Sequence, residues 1–244
     1  MTNKPRIEIP RTIFGVPVEG AMERVLAQNQ GNPIKPETQT RTATNVEGMI
    51  HIPTVDVYFA KQRTHLGKSW NEAHPLLAAE GARMPTIEEF RQTLRYFKNS
   101  QERELQALYE DITQVRTPWG ANWLDAYFEK REDGLYILTG NKAKAEKLEA
   151  CLMEDKTPGI NPDQWISGKN ATTQGLPKSD IAKGDLYYWH PRENRVALFV
   201  ADSDWANLDC YGYPDGRCGY LGVFGVVDTG QNARQQGGKG IVEG

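Results

Sequence analysis

The chain has 244 residues, 39% of them apolar and 25% charged, with a formal net charge of −3. That length suffices for one large domain, or for one domain with an appendage. The slight acidity argues against a nucleic-acid or anionic-membrane partner, which would call for a basic stripe.

Residues 1–48 are rich in Pro, Thr, Asn and Gln with poor periodicity, and read as an arm that packs on a partner or stays loose. The opening MTNKPRIEIPRTIFGVPVEG carries charge but no apolar stretch of signal-peptide length. No run anywhere approaches the roughly 18 apolar residues of a membrane helix. The expected location is therefore the cytoplasm, or a virus particle or surface structure into which the protein is assembled.

Residues 50–60 alternate, with Val55, Val57 and Phe59 on one face of a predicted strand. Ser69 caps a helix running through Glu80. Met84-Pro85-Thr86 opens another, where Thr86 and Glu89 have capping-box spacing. In that helix Ile87, Phe90, Leu94 and Phe97 share a face. A third helix follows Ser100, with Leu105, Leu108 and Ile112 at helical intervals. Residues 123–130 and 135–139 form a predicted hairpin across Asp133-Gly134. Residues 141–154, rich in Lys, Glu and Ala, read as a helix. From Gly184 onward the chain reads as β, with strands at 185–190, 195–202 and 219–227 joined by Gly- and Pro-rich turns. The expected class is α+β, a domain over 49–228 whose first and last strands pair, followed by a flexible polar tail at 229–244.

Residues 194–230 contain no Lys, Glu, Gln or Met and a single Trp. Asp, Tyr, Gly, Asn, Arg, Cys, Ser and small apolar residues fill the stretch, as in ADSDWANLDCYGYPDGRCGY. Strand and turn propensity explains part of this, since long straight side chains favour helices. The same palette serves a binding surface: Tyr and Trp give rigid contact area at low entropy cost, while Ser, Gly and Asn adapt their hydrogen bonds. Codon arithmetic sharpens the second reading. An AAC codon with both adenines randomised never encodes Lys, Glu, Gln, Met, Trp or a stop, and the segment lacks that set apart from Trp205. Val196-Ala197, Phe199, Ala201, Ser203, Trp205-Ala206, Leu208, Cys210, Pro214 and Leu221-Gly222-Val223 look like a fixed frame with free choices between them. On these residues the chain resembles the variable proteins of diversity-generating retroelements, whose C-terminal segment is rewritten from an adenine-mutagenised template.

That resemblance implies a C-type lectin fold, with mixed or antiparallel sheet, two or more helices and a C-terminal β meander. Arg83-Met84-Pro85-Thr86-Ile87-Glu88-Glu89-Phe90 is similar to the R-[LM]-P-T-x-x-E-[FW] signature of the formylglycine-generating-enzyme branch of that fold. It also implies a hypervariable surface over about 194–227 that recognises diverse ligands, proteins or cell-surface molecules, by binding without chemistry, in a chain free to form an oligomer. The expected contact residues are Leu198, Val200, Asp202, Asp204, Asn207, Asp209, Tyr211, Gly212, Tyr213, Asp215, Gly216, Arg217, Cys218, Gly219, Tyr220 and Phe224. Phe199, Trp205, Leu208 and Leu221 are expected in the core, with Ala197, Ala201 and Ala206 at close-packed points.

No residue pattern calls for a cofactor or a metal. His51, His65, His74 and His190 are scattered without zinc spacing. Gly140-Asn141-Lys142 and Gly237-Gly238-Lys239-Gly240 lack the upstream glycine and the Ser/Thr of a phosphate loop. Asp202, Asp204, Asp209 and Asp215 have oxygen ligands suited to calcium, but read as solvated loop carboxylates. Cys151, Cys210 and Cys218 make no even framework. Cys210 and Cys218 could pair across a loop, but their C-x7-C spacing specifies nothing, and the two read as incidental thiols. The alternative function is a formylglycine-generating-type metal-dependent oxidase, with Cys210 and Cys218 as its ligand pair. The chain lacks the Gly-Gly-Ser-Trp-like strand and Arg-rich segment of those enzymes.

Overall fold

Two capping boxes set the predicted helices in the computed structural model, which describes residues 12–13, 16–17 and 46–230. The Ser69 hydroxyl accepts the Glu72 N–H at 3.3 Å while the Glu72 carboxylate accepts the Ser69 N–H at 3.0 Å. Helix α1 (Trp70–Ala79) thus starts with two of its orphan donors satisfied. Thr86 and Glu89 repeat the exchange at 3.2 and 2.8 Å, opening α2 (Ile87–Asn99), whose Ile87, Phe90, Leu94 and Phe97 are buried. In α3 (Arg103–Thr113), Leu105 and Ile112 are buried and Leu108 is half-buried. A short helix, α4 (Pro162–Ser167), capped by Asn161, was not legible in the sequence.

The chain divides into two compact units, residues 1–41 and 42–244. In the first, β1 (Thr12–Ile13) and β2 (Val16–Pro17) pair antiparallel. Most of the expected arm at 1–48, and the expected tail from residue 231, lie outside the described residues.

In the second unit β3 (Ile50–Ile52), β4 (Val57–Phe59) and β13 (Val226–Asp228) form a small antiparallel sheet in the order β13-β4-β3. The expected closure of early strand on late strand is there, with Val226 opposite Phe59 and Val227 opposite Tyr58. Arg83 ties this closure to α2. Its guanidinium reaches Glu89 at 2.6 Å and Asp228 at 2.6 Å, and its backbone bonds Val226 in both directions. Burial works against the Arg83 charge, but those two carboxylates outweigh it and raise its pKa.

The large sheet runs β7-β6-β5-β10-β11-β9-β8, with β12 beside β5. Its strands are β5 (Gly120–Arg131), β6 (Gly134–Thr139), β7 (Lys144–Lys147), β8 (Lys156–Ile160), β9 (Leu186–Trp189), β10 (Arg195–Ala201), β11 (Ala206–Gly212) and β12 (Leu221–Gly222). Pairing is antiparallel except for β9 with β11 and β12 with β5. Both faces of its centre are apolar. One carries the main core with α2, α3 and α4; the other packs Trp123, Val196, Leu198 and Val200 against Trp70, Ala73 and Leu77 of α1.

Three expected elements differ. The strand expected at 50–60 is a hairpin of β3 and β4, with Val55 in the turn between them. The helix expected at 141–154 is absent: Asn141 and Lys142 have φ of 54° and 69°, which reverses the chain into β7. The Asp125 carboxylate holds this turn, accepting the N–H groups of Gly140 and Asn141 at 2.6 and 3.3 Å. The helix preference of Lys, Ala and Glu amounts to tenths of a kcal/mol per residue at best. Leu148, Cys151 and Leu152 reach the core from beyond β7, and residues 144–147 pair with β6, all four side chains exposed. The strand expected at 219–227 is split into β12 and β13, which belong to different sheets.

Candidate binding face

Register sorts the codon-compatible segment by parity, because alternate residues of a strand point to opposite faces. Ala197 and Phe199 of β10, with Leu208 and Cys210 of β11, enter the main core. The Phe199 ring lies 5.4 Å from Phe90 and 6.2 Å from Trp165, nearly parallel to the latter. The intervening positions meet on the other side: Leu198 is opposite Asp209, which pairs Trp189, and Val200 is opposite Asn207, which pairs Tyr187. Helix α1 covers this outer face over β5 and β10. Its β11–β9 half carries Asn207, Asp209 and Tyr211 beside Tyr187 and Trp189.

Aromatic rings bound that half. Trp205, 40% exposed, lies 5.4 Å from Tyr187. Trp189 lies 6.1 Å from Tyr211, which Arg192 covers at 4.7 Å. The Asp209 carboxylate accepts the Tyr211 N–H at 2.8 Å. Burial pushes its pKa up to about 6; the Tyr211 bond opposes this, Asp155 adds to it and Arg192 opposes it. Asp155 in turn accepts the His190 backbone N–H at 3.0 Å and pairs with Arg192 at 3.4 Å, fixing the end of β9.

From β11 the chain runs through residues 213–220, anchored on the first turn of α1. The Asn71 N–H donates to the Pro214 carbonyl at 3.2 Å and its side-chain amide to Asp215 at 2.7 Å. Arg217 pairs with Glu72 at 2.7 Å. Tyr213 is 60% exposed with the Arg195 guanidinium 4.0 Å from its ring centre, and Tyr220 is 48% exposed beside Trp119.

Of the expected contact residues, Asp204, Tyr213, Asp215, Arg217, Gly219 and Tyr220 are exposed, while Asp202, Asp209, Tyr211, Gly212, Gly216 and Cys218 are half-buried. Five expectations need correction. Leu198 and Val200 point outward from the sheet but are only 8% exposed, because α1 and β12 pack over that half of the face. Asn207 is buried on the face's floor, its side-chain oxygen without a partner among the described residues. Phe224 sits in the main core, 5.4 Å from Phe59, because the chain crosses there from β12 to β13. Trp205 is the reverse case: expected inside, it shares the parity of Asn207 and Asp209 and stands on the rim, whereas Phe199, Leu208 and Leu221 are buried as expected.

Family models, curated proteins and solved structures gave no match.

The face is therefore read from its own chemistry. Among the described residues no group of three or more His, Cys, Asp or Glu side chains is placed to hold a metal. Asp202 and Asp204 lie in the β10–β11 turn, Asp209 on the strand face and Asp215 against Asn71, so the four carboxylates do not converge. All three cysteines are free. Cys210 is fully buried in the main core, which raises its thiol pKa, and Cys218 packs on the opposite apolar cluster. Sequence reasoning missed Tyr187, Trp189 and Arg192. The alternation Leu186-Tyr187-Tyr188-Trp189 signals two outward aromatics, but nothing in it announces a parallel partner as remote as β11.

Proposed function

We propose that the protein is a ligand-binding module of the retroelement-diversified type, built on a C-type lectin-like scaffold. Its contact surface is the outer face of β11 and β9 together with the 213–220 loop. The observation carrying this is the parity split: frame residues Ala197, Phe199, Leu208 and Cys210 occupy the core side, and codon-compatible Asp209 and Tyr211 occupy the other, beside the buried Asn207. Positions rewritten at random are tolerated only where packing does not depend on them, and are useful only where they meet one ligand. The β4–β13 closure and the capped helix after Arg83 support the scaffold reading. The ligand class is a protein surface, engaged by Tyr and Trp anchors with Asp and Arg at the rim.

Sequencing the gene's surroundings tests the proposal. A neighbouring reverse-transcriptase gene and a near-copy of the segment for residues 194–227, differing only at adenine positions, is the expected result. Absence of both, with the codons for Asn207, Asp209, Tyr211 and Tyr213 invariant among sibling isolates, overturns it.

A further inference from the structure

A second site lies where the turn between β10 and β11 meets α3 and α4. A cavity of about 480 Å³ opens there, within the range of small-molecule sites. Tyr109, Trp165, Tyr187 and Trp205 contribute rings to its lining. Val115, Pro158, Pro162 and Ile166 add apolar wall. Val115 and Trp205 are among the large apolar side chains left exposed, at 39% and 40%. Exposed apolar surface around a concavity marks a binding site more often than a solvated surface does.

The charge on the lining is one-sided. Among the described residues Asp185 and Asp204 are its only ionisable carboxylates, and no Lys, Arg or His lines it. Among the described residues neither carboxylate forms an ion pair, and Asp204 accepts only the neighbouring Ser203 hydroxyl at 3.4 Å. Two cations flank the cavity, and each is already paired: Lys98 of α2, 5.8 Å over the Tyr109 ring, with Asp163, and Arg116, next to Val115, with Asp111. Aromatic ring faces attract cations through their quadrupole, more strongly when water is excluded. A pair of unneutralised carboxylates at the same mouth adds to that attraction and rejects anions.

We propose that this cavity binds a small amphipathic organic cation, an amine carrying an aromatic or branched apolar body. The ammonium sits against Trp205 and Tyr187 within reach of Asp185 and Asp204, and the body fills the wall formed by Val115, Pro158, Pro162 and Ile166. The site goes beyond the protein-binding surface and does not depend on it, although Trp205 and Tyr187 border both.

The test is isothermal titration of the full chain with phenethylammonium, and in parallel with neutral 2-phenylethanol of the same shape. Saturable 1:1 binding of the amine, at least about tenfold tighter than the alcohol, is expected, since one cation–π and charge contact is worth roughly that factor. The double variant Asp185→Asn, Asp204→Asn, both sites being exposed, should keep the wild-type thermal melt and lose at least about tenfold of amine affinity while leaving the alcohol unchanged. Trp205→Ala should weaken the amine similarly. Equal affinity for the two compounds, no saturable binding of the amine, or an unaffected double variant each overturns the proposal. None of these results bears on the variable surface, whose test is genomic.

Discussion

Truncating Phe199 to alanine probes the parity split directly. The ring is 2% exposed, within 5.4 Å of Phe90 and 6.2 Å of Trp165. Removing a ring buried in that way costs about 3–5 kcal/mol, from lost transfer energy and the cavity left behind. For a domain of roughly 150–250 residues each kcal/mol moves Tm by about 2–4 °C, so the expected fall is about 6–20 °C. Tyr213, 60% exposed, contributes mainly its contact with Arg195, and Tyr213→Ala should cost less than about 1 kcal/mol. Leu198→Ala is the informative intermediate. Leucine is among the residues a randomised AAC codon allows, yet Leu198 packs beneath α1, so a loss of about 2 kcal/mol or more is expected. Urea melts of the three variants, compared through their midpoints at constant m, supply the measurement. Comparable losses for Phe199→Ala and Tyr213→Ala would refute the assignment of core and contact faces.

Asp209→Asn keeps an acceptor for the Tyr211 N–H but removes the ionisation. With the folded pKa raised from 3.8 to about 6, the stability that Asp209 contributes is present below pH 3.8 and is lost as pH climbs to about 6. The variant should therefore gain up to about 3 kcal/mol at pH 8 and nothing at pH 3.5, read from urea melts; a pH-independent gain contradicts the burial argument. His74 behaves oppositely: burial, then Lys142, lowers its pKa to about 4 from 6.5. Stability drops as pH falls through that window, and His74→Gln should flatten the decline in the same melts. Arg83→Ala strands the Glu89 and Asp228 carboxylates and should cost at least about 2 kcal/mol by thermal denaturation. Arg83→Lys should recover only part, because one ammonium lacks the planar fork that serves both carboxylates. Gly159→Ala would bring a methyl to 1.8 Å from the Leu186 carbonyl oxygen, so calorimetry should show a loss of at least about 1–3 kcal/mol.

Local physics made several elements legible from sequence alone. Ser69 with Glu72, and Thr86 with Glu89, announce helix starts because a capping box involves only residues three apart. Ile87, Phe90, Leu94 and Phe97 announce a buried helix face by their period. The alternation in 195–201 and 206–212 was readable because alternate residues of a strand point to opposite faces, so Phe199 and Leu208 were rightly expected inside. What only the tertiary structure decided depends on non-local pairing. Segment 141–154 carries helix-favouring residues, and its strand state comes from the β6 ladder and from Asp125, remote in sequence. Trp205 is apolar, and only its place in the β10–β11 turn, beside Tyr187, leaves it exposed. Tyr187 and Trp189 join the face through a parallel pairing that no short-range pattern encodes. Leu198 and Val200 satisfy the codon rule, yet the packing of α1 over one half of the outer face removes them from solvent and leaves the other half open.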